Sequence, residues 1–115
     1  MFDFQPRRKV VECKDGFAMS VQASENHYCT PRRSGWNMPY TSVEVGFPNK
    51  IESLLKDHID IWHDDIVDKR TRAFWCDSIY TYVPASVIIN VIEKHGGMVK
   101  GQLPELDLTN YDEEE

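Results

Sequence analysis

His27 and Cys29 stand two residues apart, and on an extended chain residues at i and i+2 share one side. Such a pair would activate a thiolate for group transfer if the two were within hydrogen-bond reach and an oxyanion pocket lay beside them. No nucleophile elbow or oxyanion motif accompanies them. The competing reading is a small buried thiol next to a loop histidine. His27, Cys29, His58, His63 and Asp64 are also metal-ligand types. Zinc sites draw on close pairs such as CxxC or HxxxH, whereas His58 and His63 are five apart and split around a helix. No metal or other cofactor is expected. For acid–base work the chain offers Glu44 and the group Asp60, Asp64, Asp65 and Asp68. An isolated strand glutamate opposite Ser20 or Gln22 reads as a cross-strand hydrogen-bond partner. Lys69, Arg70 and Arg72 dilute the aspartate field. No catalytic residue is assigned, and a Cys29-dependent enzyme stands as the least favoured reading.

Recognition without chemistry fits the residue types better. Ser20, Gln22, Ser24, His27, Tyr28, Arg32 and Tyr40 supply hydroxyls, an amide, an arginine fork and aromatic planes, a mixture that binds nucleotide-like or charged partners. No Gly-rich phosphate loop points to a nucleoside triphosphate. Trp36, close to Arg32 and Arg33, is the preferred single anchor for a protein interface, with Trp62, Phe74 and Trp75 as further aromatic candidates.

These residues must be positioned by the elements around them. Residues 10–14 form a β-branched run, Asp15-Gly16 a turn signal, and Phe17, Met19, Val21 and Ala23 alternate with small or polar residues. That is a hairpin, with Ser20, Gln22 and Ser24 on its polar face. Residues 25–39 carry loop chemistry over an unusual length. Residues 40–47 return to strand alternation, and Asn49 can cap a helix toward His58 with Ile51, Leu54 and Leu55 facing the core. Residues 59–76 show no clean period. Residues 78–83 read as a strand, and Pro84 opens a helix bearing Val87, Ile88, Val91 and Ile92. Gly96-Gly97 ends that helix before a short strand at 98–100.

The expected architecture is therefore a single α+β domain over residues 1–100, a small antiparallel sheet covered by two helices on one face. Residues 101–115 read as an acidic, flexible C-terminal tail. A chain of 115 residues suits one core, and 41% hydrophobic with 28% charged residues is the balance of a folded protein. The net charge of −6 opposes sequence-independent nucleic-acid binding, although Arg7, Arg8 and Lys9 make a local basic cluster. No run approaches the ~20 apolar residues of a membrane span, and no apolar signal segment follows Met1. Three cysteines without a CxxC pair favour reduced thiols, hence a cytoplasm. A thin sheet with free edges would gain from a second copy, so a dimer is a candidate assembly.

Three segments, DGFAMSVQASENHYCTPR, YTSVEVGFPN and YTYVPASVIINVIEKHGG, occur in that order. Over about residues 10–99 the chain resembles a group of small proteins encoded by tailed bacteriophages and prophages. The resemblance implies a viral genome, the cytoplasm of a bacterial host and a small α+β domain, and brings no activity with it. With the absence of catalytic motifs it leads to a non-enzymatic accessory protein that binds a host protein, as an inhibitor of a host defence system. The alternative is an oligomeric protein that binds or sequesters a nucleotide-like small molecule.

Overall fold

Asp15 and Gly16 close a hairpin between strands β1 (Val11–Cys13) and β2 (Ala18–Gln22). Only Gly16, at φ +96°, takes the left-handed conformation expected of the turn. The connection is wider than the two-residue turn the Asp-Gly pair suggests, closing through Cys13 N–H to Phe17 O at 2.8 Å and Gly16 N–H to Cys13 O at 2.9 Å. The structure is a computed structural model that describes residues 7–34, 39–60 and 72–108.

Strand β3 (Ser42–Gly46) pairs antiparallel with β2, β4 (Ile79–Pro84) with β3, and β5 (Met98–Lys100) with β1. The five strands run in the order β4-β3-β2-β1-β5, so the first hairpin lies at the centre and the last strand at an edge. One face carries Val11, Met19, Val21, Val43, Val45, Tyr80 and Val83, all buried. It is covered by helix α2 (Ala85–Lys94), whose Ala85, Ile88, Val91 and Ile92 are buried, and by Leu55 of a 3₁₀ helix, Ser53–His58. A short helix α1 (Arg72–Cys76) completes a small α+β domain.

Local details depart from the sequence reading. Pro84 ends β4 and is the N-cap of α2, so the helix starts at Ala85, one position later than expected. Asn49 caps no helix. Its side chain accepts from Ala18 N–H and donates to Gly16 O, both at 2.9 Å, and so braces the hairpin. Glu52 is the N-cap of the 3₁₀ helix, and Ile51 and Leu54, expected in the core, are exposed. Residues 101–108, placed by composition in the acidic tail, are packed against the domain. Tyr40 N–H donates to Glu105 O and Asp107 N–H to Tyr40 O, while Leu103 and Leu106 contact the core. Among the described residues no helix is long and apolar enough to cross a membrane.

The second face of the sheet shows the largest difference. Ser20, Gln22 and Ser24, expected on a polar face, are each less than 9% exposed, as is Ser42. The chain itself covers them. Gln22 Oε1 accepts from Arg8 N–H at 3.0 Å and Gln22 Nε2 donates to Arg8 O at 2.9 Å, so one amide side chain pairs with the N-terminal segment as a neighbouring strand would. Gln22 Nε2 also donates to Ser20 Oγ. Among the described residues no buried side-chain nitrogen or oxygen lacks a hydrogen-bond partner, which is the condition for burying polar groups at low cost.

Candidate binding cleft

The register between β3 and β4 slips: Val43 faces Val83 but Val45 faces Tyr80, leaving Thr81 and Tyr82 together opposite Glu44. Such a bulge re-aims the side chains beside it. Tyr82 takes φ +52°, a conformation uncommon for a bulky residue, and its ring stands 47% exposed. Its N–H donates to Tyr28 O at 3.2 Å, which ties the long loop to the edge of the sheet. The Tyr28 ring, 40% exposed, lies 6.1 Å from that of Tyr82. The guanidinium of Arg32 sits 4.9 Å over the Tyr28 ring, within the range of a cation–π contact. Tyr28, Asp60, Ile79, Thr81 and Tyr82 line an open cleft of about 540 Å³.

Two titratable groups adjoin this cleft. His27 Nδ1 is 2.7 Å from Ser24 Oγ, and His27 Nε2 is 3.8 Å from Glu44 Oε1. Burial lowers the His27 pKa, and Arg7, Arg8 and Arg32 add to the shift, which favours the neutral ring. Burial raises the Glu44 pKa and Asp60 adds to the rise, against the opposing pull of the Tyr28 amide and of Arg7 and Arg32. The Ser24, His27 and Glu44 side chains have the composition of a hydrolytic triad without its access. Ser24 is 7% exposed, and its Oγ also accepts from Asn26 N–H at 3.0 Å.

The Cys29–His27 pair does not form. Cys29 is buried, its thiol donating to Ser24 O at 3.2 Å with Pro31 O at 3.4 Å, and burial pushes its pKa up. A thiol held in that form is a poor nucleophile. Cys13 and Cys76 are buried free thiols as well. Ellman's reagent at pH 8 is therefore expected to modify the native thiols on the order of 100-fold or more slowly than those of the urea-unfolded chain. A thiol that reacts at the unfolded rate in the native protein would restore the nucleophile reading.

The eight residues expected to form a binding site thus divide. Tyr28, Arg32 and His27 lie at or beside the cleft. Ser20, Gln22, Ser24 and Tyr40 are buried, their polar groups bonded within the chain; Tyr40 Oη donates to Arg33 O at 2.6 Å. Trp36 lies outside the described residues, as do Trp62, His63, Asp64, Asp65 and Asp68. Phe74 is buried and Trp75 packs against the core, beneath the ammonium of Lys56 at 5.0 Å. Among the described residues no three His, Cys, Asp or Glu side chains are grouped to hold a metal ion. Sequence reasoning missed Thr81 and Tyr82, since a bulge leaves no mark in a regular strand pattern.

A second cluster was also missed. His95, just past α2, holds Nδ1 2.7 Å from Asp15 Oδ2 and Nε2 2.6 Å from Glu52 Oε1, with its ring stacked 4.2 Å from Phe17. Lys94 Nζ completes the group at 2.8 Å from Glu52 Oε2. Both ring nitrogens of His95 are engaged, so the cluster fastens three elements together and offers no free ligand. Comparison of the chain with protein-family models, curated proteins and solved structures finds no match.

Proposed function

We propose that this chain is a phage-encoded binding protein that acts in the bacterial cytoplasm by docking on a host protein, as an inhibitor of a host defence system. The observation that carries the docking reading is Tyr82, a bulky residue held at positive φ with its ring exposed beside Tyr28 and Arg32. Strain of this kind persists where the surroundings enforce it, and tyrosine and arginine dominate the energetics of protein interfaces. The phage and host setting rests on the resemblance of the hairpin, the third strand and the last helix to small phage proteins.

Native mass spectrometry of the protein purified gently from its bacterial host tests this reading. The wild type is expected to retain a host protein, and a Tyr28→Ala/Tyr82→Gly variant to bind it on the order of 1,000-fold more weakly, about 2 kcal/mol for each of the two hot-spot rings. Both rings are exposed, and glycine suits the Tyr82 backbone, so the fold should survive. Retention by the variant would move the interface elsewhere. The cleft volume of about 540 Å³ also falls in the range of small-molecule sites. It supports the second reading, an oligomeric protein that binds a nucleotide-like molecule, which the same spectrum would reveal as a small adduct.

A further inference from the structure

Arg32 beside the cleft and Asp60 in its lining have opposite sign and lie toward opposite ends of it, with the Glu44 carboxylate within electrostatic reach of both. Arg32 is held at the Tyr28 end, where Tyr28 O accepts from Tyr82 N–H. Asp60 is held at the other end, where its N–H donates to Ile79 O at 2.9 Å. Ile79 and Tyr82 are three positions apart on the strand, at most roughly 10 Å at ~3.3 Å per residue. Arg32 and Asp60 both act electrostatically on Glu44, but among the described residues neither side chain has a hydrogen bond or ion pair, and Arg32 rests on the Tyr28 ring. Between the two stand Tyr28, Ile79, Thr81 and Tyr82.

We infer that the cleft takes an extended peptide segment of the partner that carries an acidic side chain against Arg32, an apolar side chain over Tyr28 and Ile79, and a basic side chain against Asp60. This rests on the docking reading above and names the chemistry it selects. In an extended chain side chains at i, i+2 and i+4 share a face and span ~13 Å, which reaches both charges once the flexible ends of the side chains adjust. A guanidinium stacked on an aromatic ring keeps its N–H edge free for a carboxylate. The pairing also rejects wrong partners, since a segment with two like charges meets repulsion at one end. Arg7 and Arg8 reinforce the positive end, acting on the same His27 that Arg32 acts on.

The test is an amide-shift titration of the isotope-labelled protein with three capped pentapeptides: Glu-Ser-Leu-Ser-Lys together with its reversed sequence, Lys-Ser-Leu-Ser-Lys, and Glu-Ser-Leu-Ser-Glu. The mixed-charge peptide, in one of its two directions, should shift Tyr28, Asp60, Thr81 and Tyr82 and bind at least ~10-fold more tightly than either like-charged peptide. Arg32→Gln should abolish its advantage over the dibasic peptide, and Asp60→Asn its advantage over the diacidic one. Equal binding of all three, shifts confined to another surface, or no shift at the cleft would overturn the inference. Adenosine monophosphate shifting the same residues while the peptides do not would assign the cleft to a small anion. A host protein lost with Tyr28→Ala/Tyr82→Gly but kept with both Arg32→Gln and Asp60→Asn would overturn the charge assignment and leave the docking reading standing.

Discussion

Gly101→Ala should lower the melting temperature by about 12 °C, corresponding to about 3 kcal/mol in a domain of this size. Gly101 has φ +110°, and a Cβ there would lie 2.3 Å from Val10 O and 2.6 Å from Val11 Cα. Both obstacles are main-chain atoms at the start of β1, so no side chain can swing aside. Positive φ and overpacking each cost 1–3 kcal/mol. Gly101 is where the chain leaves β5 and crosses β1, which brings Gln102 to Lys9 through two hydrogen bonds. Gly16→Ala is the control: the same sign of φ, but nothing within 4 Å of the added carbon. Thermal melts of the two variants separate the terms. Equal losses would mean that the close approach to β1 contributes nothing.

Glu52→Ala is expected to cost a similar amount, about 3 kcal/mol, because it removes a buried carboxylate and leaves the largely buried His95 ring and the Leu54 amide without their partner, while the half-exposed Lys94 is free to hydrate. Glu52 is 2% exposed, and its carboxylate accepts from Leu54 N–H, Lys94 and His95. Burial pushes its pKa up, yet the Lys94 ammonium, the Leu54 amide and His95 together hold it below the usual range. Asp15 is lowered as well, by the Phe17 amide and then by His95. A carboxylate with a depressed folded-state pKa contributes stability above its unfolded value and loses it as pH falls through the folded one. The wild type should therefore lose stability from about pH 4 downward, and Glu52→Ala should show a shallower acid slope. Urea titrations between pH 2 and pH 7 check both. An unchanged slope in the variant would place the acid sensitivity elsewhere.

The order of elements was legible because it is written in short-range signals. Alternation from Phe17 to Ala23, the Asp-Gly turn, Pro84 before an apolar helical stripe and Gly96-Gly97 after it each depend on neighbours within a few residues. The sites were less legible for the opposite reason. Gln22 is a polar strand residue whether its amide meets water or Arg8, fourteen positions away, and only the folded chain decides. His95 carried the signal of a helix end, but its carboxylate partners lie 43 and 80 residues off. Asn49 and Glu52 compete for one capping role three positions apart, and the sequence favours asparagine where the structure uses glutamate. In the long loop the residue types were informative: Tyr28 and Arg32 pointed to recognition, though not to the bulged strand opposite them.

Strand β1 has its hairpin partner on one side and, on the other, a strand made much later: Cys13 and Met98, neighbours in the sheet, are 85 positions apart. At ribosomal rates of ~5–20 residues per second, that flank of β1 stays bare for roughly 4–17 s of synthesis. Its unpaired amides and carbonyls are meanwhile a template for any foreign strand. The ribosome thus delivers both strands of the hairpin well before the strand that covers the outer flank of β1, and that flank is protected only once β5 has been made.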